Sequence, residues 1–485
     1  MINYKQIAWI LMIISLVIGV AMAIPTAMAI SLGESDALQG FLIAYGAIAA
    51  FALIAFLISV KDRSTLFRNR DGYLTVTLSW IVATSLGAIP LVASTYYTSY
   101  SEAFFEVMSG FTTTGATILT QVENVPQSLL FWRALTNWFG GMGIIVLFVA
   151  LLPALGVGAS KLVDAETVGP TKDKLTPKIK NTALILWSIY LGLSVLQASL
   201  LRLGGLSLYD ALTVTFSTMS TAGFSVKNNS IGSYASPYIE SIVTIFMLAS
   251  ATNFGLYYKL ITGRIKAVFK DGEFRAFLGI WGVATLLIIA NLFFSGTFAT
   301  LADSFRYGVF QSASFMTTTG FVTVDYQLWP SFSQILLLLL FFVGGSGGST
   351  SGGIKVIRIA ALFKMARVQL KRRIHPHGVF QVRVGQTTLP KELLVAIASF
   401  FGIYILTGLV GSVLIALGGA DMTSSLLASF LCLGNMGIGF GLIGPTGNFA
   451  LFSQPVLWVC SLLMLIGRLE LFTVYVLFIK HFWKR

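Results

Sequence analysis

The chain has 485 residues, of which 56% are hydrophobic and 11% charged, with a net charge of +13 and a mean hydropathy of +0.83. A soluble protein carries about 25% charged residues, so this composition excludes a water-solvated globule and makes lipid the main solvent. The excess of bases is not a nucleic-acid signature, because they fall in short stretches between apolar runs, as membrane topology predicts; no nucleic-acid partner is expected.

Apolar runs occupy about 7–31, 38–60, 74–97, 128–153, 181–203, 237–262, 276–299, 331–363, 392–418 and 453–480. A crossing helix needs about 20 apolar residues, so ten spans are expected. The first run continues past residue 25, too long for a signal-peptide core, and reads as a retained membrane helix. Shorter apolar segments near 101–113, 208–220, 302–317 and 421–433 cannot cross and fit re-entrant pore helices, whose backbone must be covered by protein or water. With both termini inside and these segments dipping in from outside, 27 of the 32 Lys and Arg fall on the inner side, which fixes the orientation. Ten acids, including Glu34, Asp36, Glu123 and Asp325, then face outward and would concentrate cations there.

After two leading spans, the order span, short helix, glycine segment, span recurs four times. It divides the chain into a leading pair at 1–70 and pore repeats at 71–160, 161–270, 271–385 and 386–485. The short segments read FFEVMSGFTTTGATIL, LTVTFSTMSTAGFSV, GVFQSASFMTTTGFVTV and LLASFLCLGNMGIGFG. Carbonyls can replace an ion's hydration shell when glycine lets the backbone take unusual dihedrals. The candidate ion-binding residues are Thr112, Thr113, Thr114 and Gly115; Ser220, Thr221, Ala222 and Gly223; Thr317, Thr318, Thr319 and Gly320; and Gly434, Asn435, Met436 and Gly437. In the fourth segment Gly439 is an alternative anchor, since Gly439-Phe440 matches Gly223-Phe224 and Gly320-Phe321. Each short helix begins at an acid, Glu102, Asp210, Asp303 or Asp421, where a carboxylate complements the helix dipole.

These segments are similar to those of the Trk/Ktr/HKT superfamily of cation transporters, and the likeness to its TrkH-type bacterial members extends over essentially the whole chain, leading pair included. The resemblance implies an all-α membrane protein of ten transmembrane helices, with four M1–P–M2 potassium-channel-like repeats around one pore plus two leading helices. It further implies potassium as the transported ion, since a glycine such as Gly115 stands in the first filter. A multi-pass protein of the bacterial inner membrane is implied, embedded in membrane lipid, working as a homodimer and gated by a cytosolic ring of nucleotide-binding TrkA subunits. The basic inner loops at 154–180, 259–275 and 355–391 are candidate docking surfaces, or contacts with anionic lipid.

Two further features concern gating. Gly344, Gly345, Ser346, Gly347, Gly348, Ser349, Thr350, Ser351, Gly352 and Gly353 interrupt an apolar run. Six glycines each cost about 1 kcal/mol relative to alanine, so the helix should unwind there. Lys355 follows Ile354, which excludes a phosphate-binding loop; a plain linker is the alternative to a gate. Arg468 lies within the last span, where a charge is costly and functional by default. Glu470, two residues on, cannot share its helix face. In the family an intramembrane loop lies under the filter and an arginine beside it, which implies a barrier charge at Arg468. Intramembrane acids that could couple transport to protons are scarce, Glu106 and Glu470 being the candidates. A coupled transporter or a less selective cation channel is the alternative function. With three histidines, two of them His375 and His377 in a basic inner loop, no catalytic constellation exists and an enzyme is not expected. Trp132 and Trp138 are expected at the membrane interfaces, and Cys432 and Cys460 as buried, unbridged hydrophobes.

Overall fold

A computed structural model of the chain describes residues 2–59, 68–143, 179–384 and 387–484. Part of the expected 128–153 span and most of the inner loop at 154–180 lie outside the described residues. The leading helices Tyr4–Leu32 and Ser35–Ser59 form an antiparallel pair. Gly33 makes the turn in a left-handed conformation (φ 71°), and its N–H closes on the carbonyls of Ala29 and Ile30. Glu34, the next residue, caps a distant helix: its carboxylate accepts from Gln127 N at 2.7 Å and Ser128 N at 3.1 Å. The pair is thereby tied to the first of four similar units.

In each unit a long outer helix leads to a short pore helix, an irregular glycine segment and an inner helix. The outer helices are Asn69–Gly87, Ile179–Leu203, Gly272–Phe294 and Lys391–Leu417. The pore helices are Tyr100–Phe111, Leu208–Met219, Leu301–Met316 and Met422–Leu433. Three of them open with a side-chain N-cap: Ser99, Ser207 and Thr300 accept from the N–H of Glu102, Asp210 and Asp303. In the fourth the acid itself, Asp421, is the cap, accepting from Ser424 N at 3.1 Å.

The inner helices are Gln127–Gly141, Pro237–Ser250, Ser331–Val343 and Gln454–Arg468, each opening at or beside a proline. They have only 15, 14, 13 and 15 residues, about 20–22 Å at 1.5 Å per residue, short of the roughly 30 Å hydrocarbon core. Within the ten expected spans these inner segments are therefore not straight, full-length helices. Six helices among the described residues are long and apolar enough to cross, and two bent pairs raise the total to eight. The second inner helix turns by 95° into Phe254–Ile261 and the fourth by 110° into Phe472–Phe478. The sequence anticipates only the third break. The causes are local: Asn253 recaps a new helix through Gly255 N, Gly344 takes φ 70°, and Glu470 and Leu471 take φ 54° and 57°.

Pore helices fill the centre; in the first, every residue from Ala103 to Phe111 is buried. Trp132 is also corrected: it is fully buried, with Nε1 donating to Gly87 O at 2.9 Å and its ring edge-on to Phe111. Trp138 stacks on Tyr190 and donates to Ser194 Oγ at 3.0 Å. Both indoles find partners between helices, which removes the need for headgroup water. Cys432 and Cys460 are buried and unbridged. One departure from an all-helical chain is a hairpin pairing Arg383–Val384 with Thr387–Thr388. It packs on the helix Val356–Ile374 through Val382, Val384, Ile357 and Ala361.

Candidate functional site: a ring of four glycine segments closed by a loop

The four segments share one backbone pattern. The second residue is left-handed in all of them: Thr113 (φ 55°), Thr221 (56°), Thr318 (57°) and Asn435 (53°). The fourth residue is left-handed in three: Gly115 (78°), Gly223 (81°) and Gly320 (81°). Glycine takes a left-handed conformation without steric cost, and at Gly115 and Gly223 a neighbouring segment's carbonyl stands where a Cβ would be. Gly437 is absent from the left-handed set, so the fourth segment is the irregular member.

The glycines also identify each other. A Cβ on Gly115 would overlap the carbonyl of Ala222, one on Gly223 the carbonyl of Thr319, and one on Gly437 the carbonyl of Gly115. A Cβ on Gly320 would lie 3.4 Å from the Ile438 side chain and 3.8 Å from Gly437 N. First meets second, second meets third, third meets fourth and fourth meets first: the segments close into a ring. Gly439 stands outside it, donating to Ile443 O at 2.8 Å and accepting from the Tyr326 hydroxyl at 2.6 Å.

Behind the ring, hydroxyl pairs brace the first and third segments, Thr112 with Thr114 at 2.9 Å and Thr317 with Thr319 at 2.7 Å. Ala222 cannot form such a pair. The fourth segment uses Asn435 instead, whose Nδ2 donates to Thr114 Oγ1 at 3.1 Å and to Met464 O at 2.9 Å. That bridge between non-adjacent parts of the chain has no signature in the sequence.

The glycine-rich stretch lies against the ring at the C-terminal ends of the pore helices. Thr350 Oγ1 donates to Met219 O at 3.0 Å and Ser250 O at 3.1 Å, Gly352 N to Thr318 Oγ1 at 2.7 Å, and Gly353 N to Gly434 O at 2.9 Å. Ser346 N reaches Ala251 O and Phe254 N returns to Gly348 O. The loop thus touches the second, third and fourth units. Arg468 supplies the first: its guanidinium donates to Thr113 Oγ1 and Gly141 O at 3.0 Å each, to Gly140 O, and to the loop's Thr350 O at 3.0 Å. Glu470 pairs elsewhere, with Arg358 on helix Val356–Ile374. Beside the loop a cavity of about 220 Å³ is lined by Gly347, Ser351, Lys355, Asn435, Arg468 and Glu470, among others.

Close approach explains where the inner helices stop. A Cβ on Gly140 would overlap Phe111 O, one on Gly467 the carbonyl of Leu433, and Ser250 Oγ donates to Thr218 O at 3.2 Å. A small residue in the last turn of these inner helices lets each abut the C-terminal carbonyls of a pore helix. The signal is present in FGGMG, LASAT and LIGRL, but only the third copy, VGGSGG, is long enough to stand out. Glu106 is fully buried and engaged by Arg133 at 2.5 Å, Thr117 Oγ1 at 2.7 Å and Ile118 N at 3.0 Å. Arg133 also lies 3.8 Å from the centre of the Phe224 ring and donates to Ser225 O. The pair joins the stretches that follow the first two glycines.

A family model described as a cation transport protein, TrkH, matches residues 39–485. The chain is 40% identical to the Trk system potassium uptake protein TrkH of Salmonella typhimurium over 420 residues, 86% of each chain. It is 39% identical to the protein of that name from Escherichia coli K12, over 87% of this chain and 88% of the relative. The Trk system potassium uptake protein TrkI of Halomonas elongata is 33% identical and matches over 100% of this chain and 98% of its own. The crystal structure of the potassium transporter TrkH from Vibrio parahaemolyticus superposes over both full chains with a TM-score of 0.87 at 35% identity.

Proposed function

Since the chain belongs to the TrkH family of cation transport proteins, we propose that it takes up potassium across a bacterial inner membrane, along the axis of the four glycine segments. The single observation that carries this reading is the cyclic contact of Gly115, Gly223, Gly320 and Gly437 with one another's segments. Such a ring presents carbonyls from four directions to one ion. Candidate ion ligands are the residues from Thr112 to Gly115, Ser220 to Gly223, Thr317 to Gly320 and Gly434 to Gly437. The loop from Gly344 to Gly353 and Arg468 form the gate, in its closed position, since they bond to all four units at the ring's inner side. A guanidinium at that point repels an arriving cation. Repeat boundaries near residues 70, 160, 270 and 385 follow the same division.

The charge distribution supports cytoplasmic termini. A homodimer and a cytosolic TrkA ring on the basic faces around 259–275 and 355–391 are part of the same reading, supported by the Trk-system names of the relatives. Purified chain in liposomes, offered potassium, rubidium, sodium and lithium in turn, tests it: uptake of potassium and rubidium above sodium and lithium is expected. Rejection of all four would overturn the pore. A less selective cation pore is the second reading, favoured by the irregular Gly437; equal uptake of all four would establish it.

A further inference from the structure

We propose that Glu273 is a positioning residue that latches the two limbs of the glycine loop together in the closed state; the inference rests on the reading of that loop as the gate. Glu273 belongs to neither limb. It stands in the first turn of the third outer helix, Gly272–Phe294, held there by Asp271, whose Oδ1 accepts from Glu273 N at 3.0 Å and Phe274 N at 2.9 Å. Its side chain is buried, and one oxygen, Oε1, accepts from two backbone donors: Gly347 N on the descending limb at 2.7 Å and Ile357 N on the returning limb at 3.3 Å.

Between those donors the chain folds into a closed-necked loop. Val356 N donates to Gly345 O at 3.0 Å, and a Cβ on Gly344 would lie 2.7 Å from Gly352 O and 3.1 Å from Gly353 Cα. The loop's contacts with the ring, at Thr350, Gly352 and Gly353, all lie in the part that the neck gathers. If the loop leaves the axis by unwinding toward helix, the residues from Gly348 to Val356 rise about 1.5 Å each, and one carboxylate can no longer reach both limbs. Opening therefore breaks at least one of the two Glu273 bonds. Both bonds exist together only while the two limbs are gathered, so Glu273 selectively stabilises the closed form.

Single-channel recording of the full chain in planar bilayers tests this, with deletion of Gly345 to Ser351 as the reference for the gate itself. Glu273→Ala is expected to raise open probability on the order of tenfold with unitary conductance unchanged, because the residue touches the loop and not the ring. Glu273→Gln, which keeps the volume and one acceptor oxygen, is expected to fall between it and the parent and guards against a folding defect. If the deletion raises open probability while both Glu273 variants leave it unchanged, the latch is overturned and the gate stands. If none of the three alters open probability, the gate reading falls as well.

Discussion

Replacing Arg468 by alanine removes a set of hydrogen bonds that divides into two parts. Those to Thr113, Gly140 and Gly141 hold the guanidinium against the first unit and persist wherever the loop stands. The bond to Thr350 O reaches the loop itself. Among its bonds to described residues, the part of the loss that would separate a loop at the ring from a withdrawn one is the charge-assisted Thr350 bond, about 1.5–3 kcal/mol. At about 1.4 kcal/mol per tenfold, the closed-to-open ratio should fall between roughly tenfold and a hundredfold. Removing the charge beside the path adds to cation flux in the same direction. Potassium flux into liposomes, measured beside the parent chain at matched thermal stability, reads the effect. A folded Arg468→Ala variant with flux within about twofold of the parent would refute both the tether and the barrier.

Glu106→Gln leaves Arg133 buried with its ion pair broken, and loss of one partner of such a pair costs about 3–5 kcal/mol; thermal unfolding in detergent should show a clear drop in midpoint, and an unchanged midpoint would contradict the bracing role. Gly115→Ala places a methyl on the Ala222 carbonyl and forces strain at φ 78°; potassium flux should be abolished in protein that still inserts, and retained flux would count against the ring. Asn435→Leu keeps the volume but removes the donors to Thr114 and Met464; the flux ratio of potassium to sodium should fall, while an unchanged ratio would make the bridge irrelevant to selectivity.

Period and composition make the outer and pore helices legible, because each is an unbroken apolar run or an acid-capped short one. The first three glycine segments are legible because Thr-Thr-Thr-Gly and its variant Ser-Thr-Ala-Gly recur at matching places. The inner helices are not. Their apolar runs continue through the bends at Ser250 and Arg468, and hydropathy does not register a change of direction. The breaks come from steric fits between Gly140 and Phe111 O, or Gly467 and Leu433 O, which join residues far apart in sequence. Likewise Glu273 and Asn435 look like ordinary helix-end and turn residues until tertiary contact gives them partners. Helical geometry alone separates Glu470 from Arg468, but the partner it does take, Arg358, lies 112 residues away and has no local signature. Gly437 and Gly439 are equivalent candidates in the sequence, and only the contact with Gly115 puts the former in the ring.

The axis itself can be observed most directly by anomalous diffraction from crystals of this chain grown with rubidium or thallium in place of potassium. Anomalous peaks should lie between the carbonyls of the four segments, at the level of Gly115, Gly223, Gly320 and Gly437, and on the outer side of the loop. Well-ordered crystals with heavy-cation peaks elsewhere and none inside that ring would contradict the account.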